Sequence, residues 1–419
     1  MPPVLGCIAD DFTGATDLAV MLVKEGMRTV QLIDVPDPGM PVPDADALVV
    51  ALKSRTIETA DAISQSRAAL AWLQAAGCRR YFFKYCSTFD STDRGNIGPV
   101  SEDLGSGFSI ACPALPVNGR SVYRGHLFVG DALLNESGMA DHPLTPMTDA
   151  NLVRVLDRQT DGRVGLVAYD EVSQGRDAIA SAMDSLRDSG VRMAIVDAVL
   201  DRDLREIGWD VADLPLVTGG SGVAIGLPEA YRSAGLLTGN AAAAGRLGEV
   251  EGGCAVVAGS CSVATQAQVA LMESRAPAFR IDPLLLAEGQ DLAAAALDWA
   301  APLLAEGPVL VYATAAPVTV RAAQERIGTQ RAGALVEEAL ASVGAGLVRS
   351  GVRRLVVAGG ETSGAVVRAL GVRVLRIGPE IDPGVPWTES LGEPPLHLAL
   401  KSGNFGSEDF FLRAFEVTT

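Results

Sequence analysis

Two short strings gather most of the chain's reactive side chains. The first, IADDFTGATD (8–17), carries an apolar strand-like run into Asp10 and Asp11, then Thr13 and Gly14, and a helical pattern follows. In an open α/β sheet that junction is the carboxyl end of a strand, where ligands bind. Adjacent carboxylates repel unless a cation or hydroxyl groups need both. One of the pair suits a helix N-cap; the other is left to accept hydrogen bonds from ligand hydroxyls. The second string, KYCSTFDSTDRGN (84–96), follows another strand-like run. It crowds Lys84, Ser87, Thr88, Asp90, Ser91, Thr92, Asp93, Arg94 and Asn96 together. A ligand carboxylate is held by Lys or Arg, and Arg can do so through two parallel hydrogen bonds. Asp and Asn suit sugar hydroxyls. Arg55 follows a third candidate strand and can converge on the same crevice. A polar surface loop is the plainer reading of 84–96. Its place after a strand, with cations among donors and acceptors, favours a site for a small polar, anionic molecule.

The second half carries three turns rich in glycine and hydroxyls: AGSCS (258–262), AGGETSG (358–364) and KSGNFGS (401–407). The first two each follow a candidate strand and precede a candidate helix, presenting free backbone N–H groups at a helix N-terminus, which suits phosphate. One such turn says little; three in one half point to a nucleotide. No GxxxxGK[ST] occurs, so a Walker-type NTPase is excluded. VTGGSGVAIG (217–226) misses the GxGxxG spacing and reads as a tight turn at a domain interface. His126, His142 and His397 show no metal-ligand spacing, and no GxSxG elbow supports a serine nucleophile. No metal site is expected from protein ligands alone.

These candidates need a scaffold. A chain of 419 residues exceeds one ordinary core, and 48% hydrophobic composition supplies ample burial for two. Strand candidates at 4–9, 29–33, 47–51, 80–83, 108–111, 164–168, 193–197 and 214–217 alternate with helical stretches at 13–25, 59–75 and 175–188. The fold class is therefore α/β, two Rossmann-like domains whose mostly parallel sheets are covered by helices. Around 230–253 the sequence turns small and flexible, so the domains are placed at 1–240 and 250–419. The rhythm restarts with strands at 254–258, 309–313, 354–358, 372–377 and 397–400 and helices at 263–273, 318–344 and 362–370. The segment 113–146, rich in Gly, Asn, Pro and charge, breaks the rhythm; a stretch this long in a compact protein is usually functional, covering a site or joining subunits.

The net charge of −17, spread along the chain, argues against nucleic acid and anionic membrane as partners. No apolar run reaches the length of a membrane span. The start, MPPVLGCIADD, has no basic n-region and reads as no signal peptide. The six cysteines form no CxxC pair and no disulfide framework. A cytoplasmic location is expected.

Taken in order, ADDFTGA, KYCSTFDSTDRGN, VTGGSG, AGSCS, AGGETSG and LKSGNFG resemble the four-carbon acid sugar kinases over essentially the full length. The stretch CPALPVNGRSVYRGHLFVGDALLNESGMADHPLTPM and the form STFDSTDRGNIGP are most similar to the 3-oxo-tetronate kinases within that family. The resemblance implies an N-terminal sugar-acid domain, a C-terminal nucleotide domain, and ATP-dependent phosphorylation of the 4-hydroxyl of a 3-oxo-tetronate. It places substrate contacts on Asp11, Arg55, Lys84, Ser87 and Thr88, and nucleotide contacts on Ser260, Gly360, Glu361, Thr362, Ser363 and Gly403. Together with the chemistry above, Arg55 and Lys84 are expected to hold the substrate carboxylate, with Asp10 and Arg94 nearby, while Asp11 orients hydroxyls. Asp90 or Asp93 accepts the proton of the attacking hydroxyl. Mg²⁺ accompanies ATP, with Glu361 a candidate contributor. A homo-oligomer is compatible with these features. A D-threonate or D-erythronate kinase would share the motifs; a nicotinamide-dependent sugar-acid oxidoreductase and a non-catalytic sugar-acid binder are the readings from other classes.

Overall fold

A computed structural model describes residues 2–105, 107–142 and 144–417. The chain divides into two compact units, Met1–Gly245 and Arg246–Thr419. The strands of the first are β1 (Leu5–Ala9), β2 (Thr29–Ile33), β3 (Ala47–Ala51), β4 (Arg80–Lys84), β5 (Ser109–Cys112), β6 (Arg120–Tyr123), β7 (His126–Val129), β8 (Ala132–Leu133), β9 (Arg163–Val167), β10 (Val191–Val196) and β11 (Leu216–Gly219). All but β6–β8 form one sheet in the order β2-β3-β1-β4-β11-β5-β10-β9, parallel at every pairing. The central strands are buried along their whole length, which is why their sequences read as continuous apolar runs rather than alternating ones.

The segment expected to break the rhythm does so as a small three-stranded antiparallel sheet, β6-β7-β8. Its first turn is left-handed at Arg124 (φ 52°) and Gly125 (φ 72°). Both amides donate to the buried carboxylate of Asp197, at 2.6 and 2.8 Å, and the Tyr169 amide adds a third bond at 2.9 Å. Burial pushes the Asp197 carboxyl up, and these amides oppose the push. Asp197→Ala would leave three amides without their acceptor. It is expected to cost about 2–3 kcal/mol and to lower the midpoint of thermal unfolding by about 5 °C or more, as calorimetry would show. The VTGGSG turn packs inside the first unit, where Gly219, Gly220 and Gly222 lie close against the backbone of Cys112, Pro113 and Ala114.

The second unit contains β12 (Gly253–Ala258), β13 (Ala278–Arg280), β14 (Val309–Tyr312), β15 (Val352–Ala358), β16 (Val374–Asp382), β17 (Val385–Ser390) and β18 (Leu396–Lys401). Their order is β13-β14-β12-β15-β18-β17-β16. It is parallel from β13 to β18 and antiparallel through β17 and β16. Val256, Leu310, Val356, Trp387 and Phe410 anchor its core. The single helix expected over 318–344 is two, Pro317–Ile327 and Thr329–Arg349, divided at Gly328, whose φ of 84° no helix accommodates. Among the described residues, no helix is long and apolar enough to cross a membrane.

Candidate active site

In the first unit, β1 pairs with β3 and with β4 so that Ala9 lies opposite both Ala51 and Lys84. The strands end level, and the residues just beyond them meet. The Asp10 amide donates to the Lys84 carbonyl at 3.0 Å, and the Ser54 and Arg55 amides donate to the Asp10 carbonyl at 2.9 and 3.2 Å. Asp11 is the N-cap of the Phe12–Lys24 helix; its extended backbone turns a carboxylate oxygen onto the Gly14 amide at 3.0 Å. Asp10, only 4% exposed, faces Arg55 instead.

Arg55 is the hub. Its Nε and Nη2 donate to the two Asp10 oxygens at 3.0 and 2.8 Å, and Nη2 also reaches Asp11 at 2.6 Å. Its Nη1 lies 3.5 Å from Asp90. Burial opposes the charge on Arg55, but Asp10 and Asp11 outweigh it and hold the guanidinium above its ordinary pKa. Burial pushes the Asp10 carboxyl up, Arg55 and Lys84 pull it back, and Asp11 adds to the push. Lys84 is 2% exposed. Its ammonium donates to the Tyr85 carbonyl at 2.8 Å and lies 3.7 Å from Asp17. A Cβ on Gly14 would come within 3.0 Å of that ammonium, so glycine lets Lys84 sit beside the helix N-terminus.

The 84–96 string is bent onto this cluster by its aromatics. The Phe83, Tyr85 and Phe89 rings stack edge to face at 5.8 and 5.7 Å, and the Tyr85 hydroxyl meets Thr218 Oγ1 at 3.1 Å. Phe89 and Asp90 are consecutive left-handed residues, φ 66° and 48°. A bulky residue holds that conformation only when its surroundings impose it, and here the fully buried Phe89 ring does so. The strain aims Asp90, 8% exposed, back toward Arg55, with Thr88 Oγ1 donating to its other oxygen at 2.7 Å. Cys86 Sγ lies 3.0 Å from that same hydroxyl.

The structure thus brings Asp10, Asp11, Arg55, Lys84, Thr88 and Asp90 into one crevice, with half-buried Ser87 one residue from Thr88. Asp93 and Arg94 are not part of it; both are exposed. Asn96 faces inward as a brace. Its amide donates to the carbonyls of Ser54, Arg55 and Ile57 at 3.0, 3.3 and 2.9 Å, fixing the loop that carries Arg55. Ser91 bonds Gln159 at 3.0 Å. Asp17, which faces Lys84, was not signalled by the sequence because it reads as one more polar helix residue.

In the second unit the three glycine-rich turns converge. A Cβ on Gly403 would collide with Ser260 Oγ, and one on Gly259 with Thr362 Oγ1. Gly359 has φ 127° and passes close to the Ser260 amide. Gly360–Ala369 is a helix with Glu361 in its first turn, so the start of that helix, Glu361 and Thr362 line one wall of a cleft of about 400 Å³. Ser260 and Arg280 line it as well, with Ala313, Val320 and Val336 as an apolar side. The volume and mixed lining suit a small ligand with one flat apolar part and one anionic part. Ser363 is buried, its hydroxyl turned to the Val357 carbonyl at 3.5 Å. Gly403→Ala forces the turn away from Ser260. Overpacking of that kind costs about 1–3 kcal/mol, a loss of stability that thermal unfolding would show.

Residues 5–227 match the family model of a sugar-binding N-terminal domain, and residues 255–411 that of a nucleotide-binding C-terminal domain. The chain is 62% identical over 417 residues to a 3-oxo-tetronate kinase of Cupriavidus necator, covering 98% of this chain and 96% of that one. It is 60% identical over 419 residues to another from Burkholderia multivorans, covering 99% and 97%. The chain belongs to the 3-oxo-tetronate kinase family. Among solved structures, a Salmonella typhimurium LT2 protein described as a putative tRNA synthase superposes with a TM-score of 0.91 at 44% identity, over 98% of both chains. A Haemophilus influenzae protein superposes at 0.87, again at 44% identity, over 98% of this chain and 99% of that one. Membership in this kinase family accounts for a sugar-binding domain and a nucleotide-binding domain in one chain.

Proposed function

We propose that this protein is an ATP-dependent kinase that phosphorylates the 4-hydroxyl of a 3-oxo-tetronate, in the catabolism of four-carbon acid sugars. The observation that carries the reading is identity of up to 62% along nearly the full length with proteins named for that activity. The first unit binds the sugar acid and the second the nucleotide. Lys84, beside the N-terminus of the Phe12–Lys24 helix, supplies the main charge for the substrate carboxylate. Arg55 is already shared among Asp10, Asp11 and Asp90, so it orients those carboxylates toward hydroxyls and adds to the clamp through its charge and one Nη1 hydrogen.

Asp90 takes the proton of the 4-hydroxyl as that oxygen forms its bond to the γ-phosphorus. The bond from phosphorus to the β–γ bridging oxygen breaks, and ADP leaves. Such a transfer depends on positioning and charge neutralisation more than on covalent chemistry. The turns at Ser260, Gly360–Ser363 and Gly403 hold the nucleotide. Magnesium carried on the phosphates would neutralise their charge and would need few protein oxygens; of the two carboxylates on the cleft wall, Glu337 and Glu361, Glu361 in the first turn of its helix is the one that would help to hold it. Six free cysteines fit a reducing cytoplasm. Phosphorus NMR of the product from a 3-oxo-tetronate and Mg-ATP should show a monoester coupled to the C4 methylene protons. A phosphate on C2 would contradict this assignment.

A further inference from the structure

The side chain of Lys401 is wholly buried at the end of β18, immediately before the Ser402–Gly403 turn. Its ammonium donates to Thr265 Oγ1 at 3.1 Å and to the carbonyls of Ser402 and Gly403 at 3.0 and 2.9 Å. The Gly403 carbonyl also accepts from Ser262 Oγ at 2.5 Å and from Thr265 Oγ1 at 2.8 Å. Ser262 is the N-cap of the Val263–Glu273 helix, and the Lys401 carbonyl receives the Gly359 amide at 2.8 Å. One lysine therefore ties together all three turns, two of which line the cleft.

Among the described residues, its charge has no carboxylate counterpart. The ionisable groups on the elements around it are Cys254 on β12 and Cys261 after it, Glu273 at the far end of its helix, Arg353 and Arg354 at the far end of β15, Glu361 and Arg368 on the Gly360–Ala369 helix, Glu389 on β17 and His397 on β18. Beyond the loop stand Asp382, Glu408 and Asp409. Glu273 accepts from Tyr312, Glu389 pairs with Arg376, and Asp382 pairs with Arg413. Among the described residues, no carboxylate lies within 4.0 Å of Lys401 Nζ. Lys84 in the first unit, by contrast, has Asp17. A buried cation satisfied by neutral oxygens alone is costly, and that cost falls when an anion is held in the cleft lined by the turns it braces, since charges interact over several ångströms in a low-dielectric interior.

We propose that Lys401 is a positioning residue for the nucleotide: it pins the Gly403 turn against Ser260 and Ser262, and its charge is balanced by the nucleotide's phosphates. This rests on the second unit being the nucleotide site. Burial lowers the Lys401 pKa to about 8. Phosphates raise it again, so binding takes up a proton above about pH 8 and affinity falls as pH rises through that range.

The test is calorimetric titration of the full chain with Mg-ADP in buffers of different ionisation enthalpy. At pH 8.5, where the phosphates of ADP are already ionised, uptake of about half a proton or more is expected, falling toward zero at pH 7. Lys401→Arg, charged throughout, should bind without uptake. Lys401→Met should bind at least about tenfold more weakly, also without uptake, and leave the acceptor KM unchanged. Binding by the parent without uptake at pH 8.5, or uptake that persists in either variant, overturns the inference alone. No adenine-nucleotide binding by the folded parent overturns the kinase reading and this inference with it.

Discussion

Asp90→Asn is expected to lower kcat by about two to four orders of magnitude, the range associated with removing a general base. The KM for ATP should hold within about twofold on the same grounds. Asparagine preserves the shape of the site and can still accept from Thr88 Oγ1, but it cannot take a proton from a hydroxyl. Asp93→Asn is the matched control: Asp93 is exposed, outside the cluster around Arg55. Its kcat should stay near that of the parent. Steady-state kinetics on both variants decide the matter. A large loss at Asp93 with little at Asp90 would reverse the assignment and mean that the loop rearranges when substrate binds.

Arg55→Ala should have an effect as large by a different route. It strips the guanidinium from Asp10, Asp11 and Asp90 at once. Removing one partner of a buried pair leaves an uncompensated charge and costs about 3–5 kcal/mol, so the thermal midpoint should drop by about 6–20 °C. Activity should fall by at least about a hundredfold with the loss of orientation. The pH dependence has a definite sign. Burial raises the Asp10 carboxyl, and in the parent Arg55 opposes this. Without Arg55 the folded-state pKa rises further above its unfolded value, so the folded variant binds more protons. The variant's stability therefore recovers as pH falls from neutral through that raised value, and the gap to the parent narrows. Thermal unfolding of both proteins between pH 5 and pH 8 measures it. A gap that widens on acidification would mean that Asp10 is not the charge Arg55 holds.

Much of the scaffold was legible because the strongest local signals agree with the final packing. The strands Leu5–Ala9 and Ala47–Ala51 are buried apolar runs, and the helices at 59–75 and 263–273 carry their period without interruption. Gly328 was misread because a single glycine within a helical period is usually tolerated; only its left-handed backbone shows the break. The strand Val385–Ser390 went unseen because VPWTES contains a proline and several polar residues, although every position is buried. Pro386 is tolerated at an irregularity of the β16–β17 ladder. In the site, the density of acids and hydroxyls in 84–96 marked the crevice. What sequence could not separate was inward from outward. Asp90 and Asp93 are three residues apart in similar company, and only the left-handed turn at Phe89 and Asp90 sends one to Arg55 and leaves the other in solvent. Asn96 resembled a ligand group and is a brace. Lys401 looked like the edge of a glycine turn, and its role depends on contacts to Thr265, far away in sequence.

The central claim is tested most directly by coupled ADP release with Mg-ATP against 3-oxo-tetronates of both C2 configurations, D-threonate, D-erythronate and L-threonate. The account predicts turnover on a 3-oxo-tetronate with kcat/KM at least about a hundredfold above every plain tetronate, a discrimination of about 2.7 kcal/mol. A preference for a plain tetronate would contradict the oxo-acid assignment while keeping the kinase, and no turnover on any member of the panel would contradict the kinase itself.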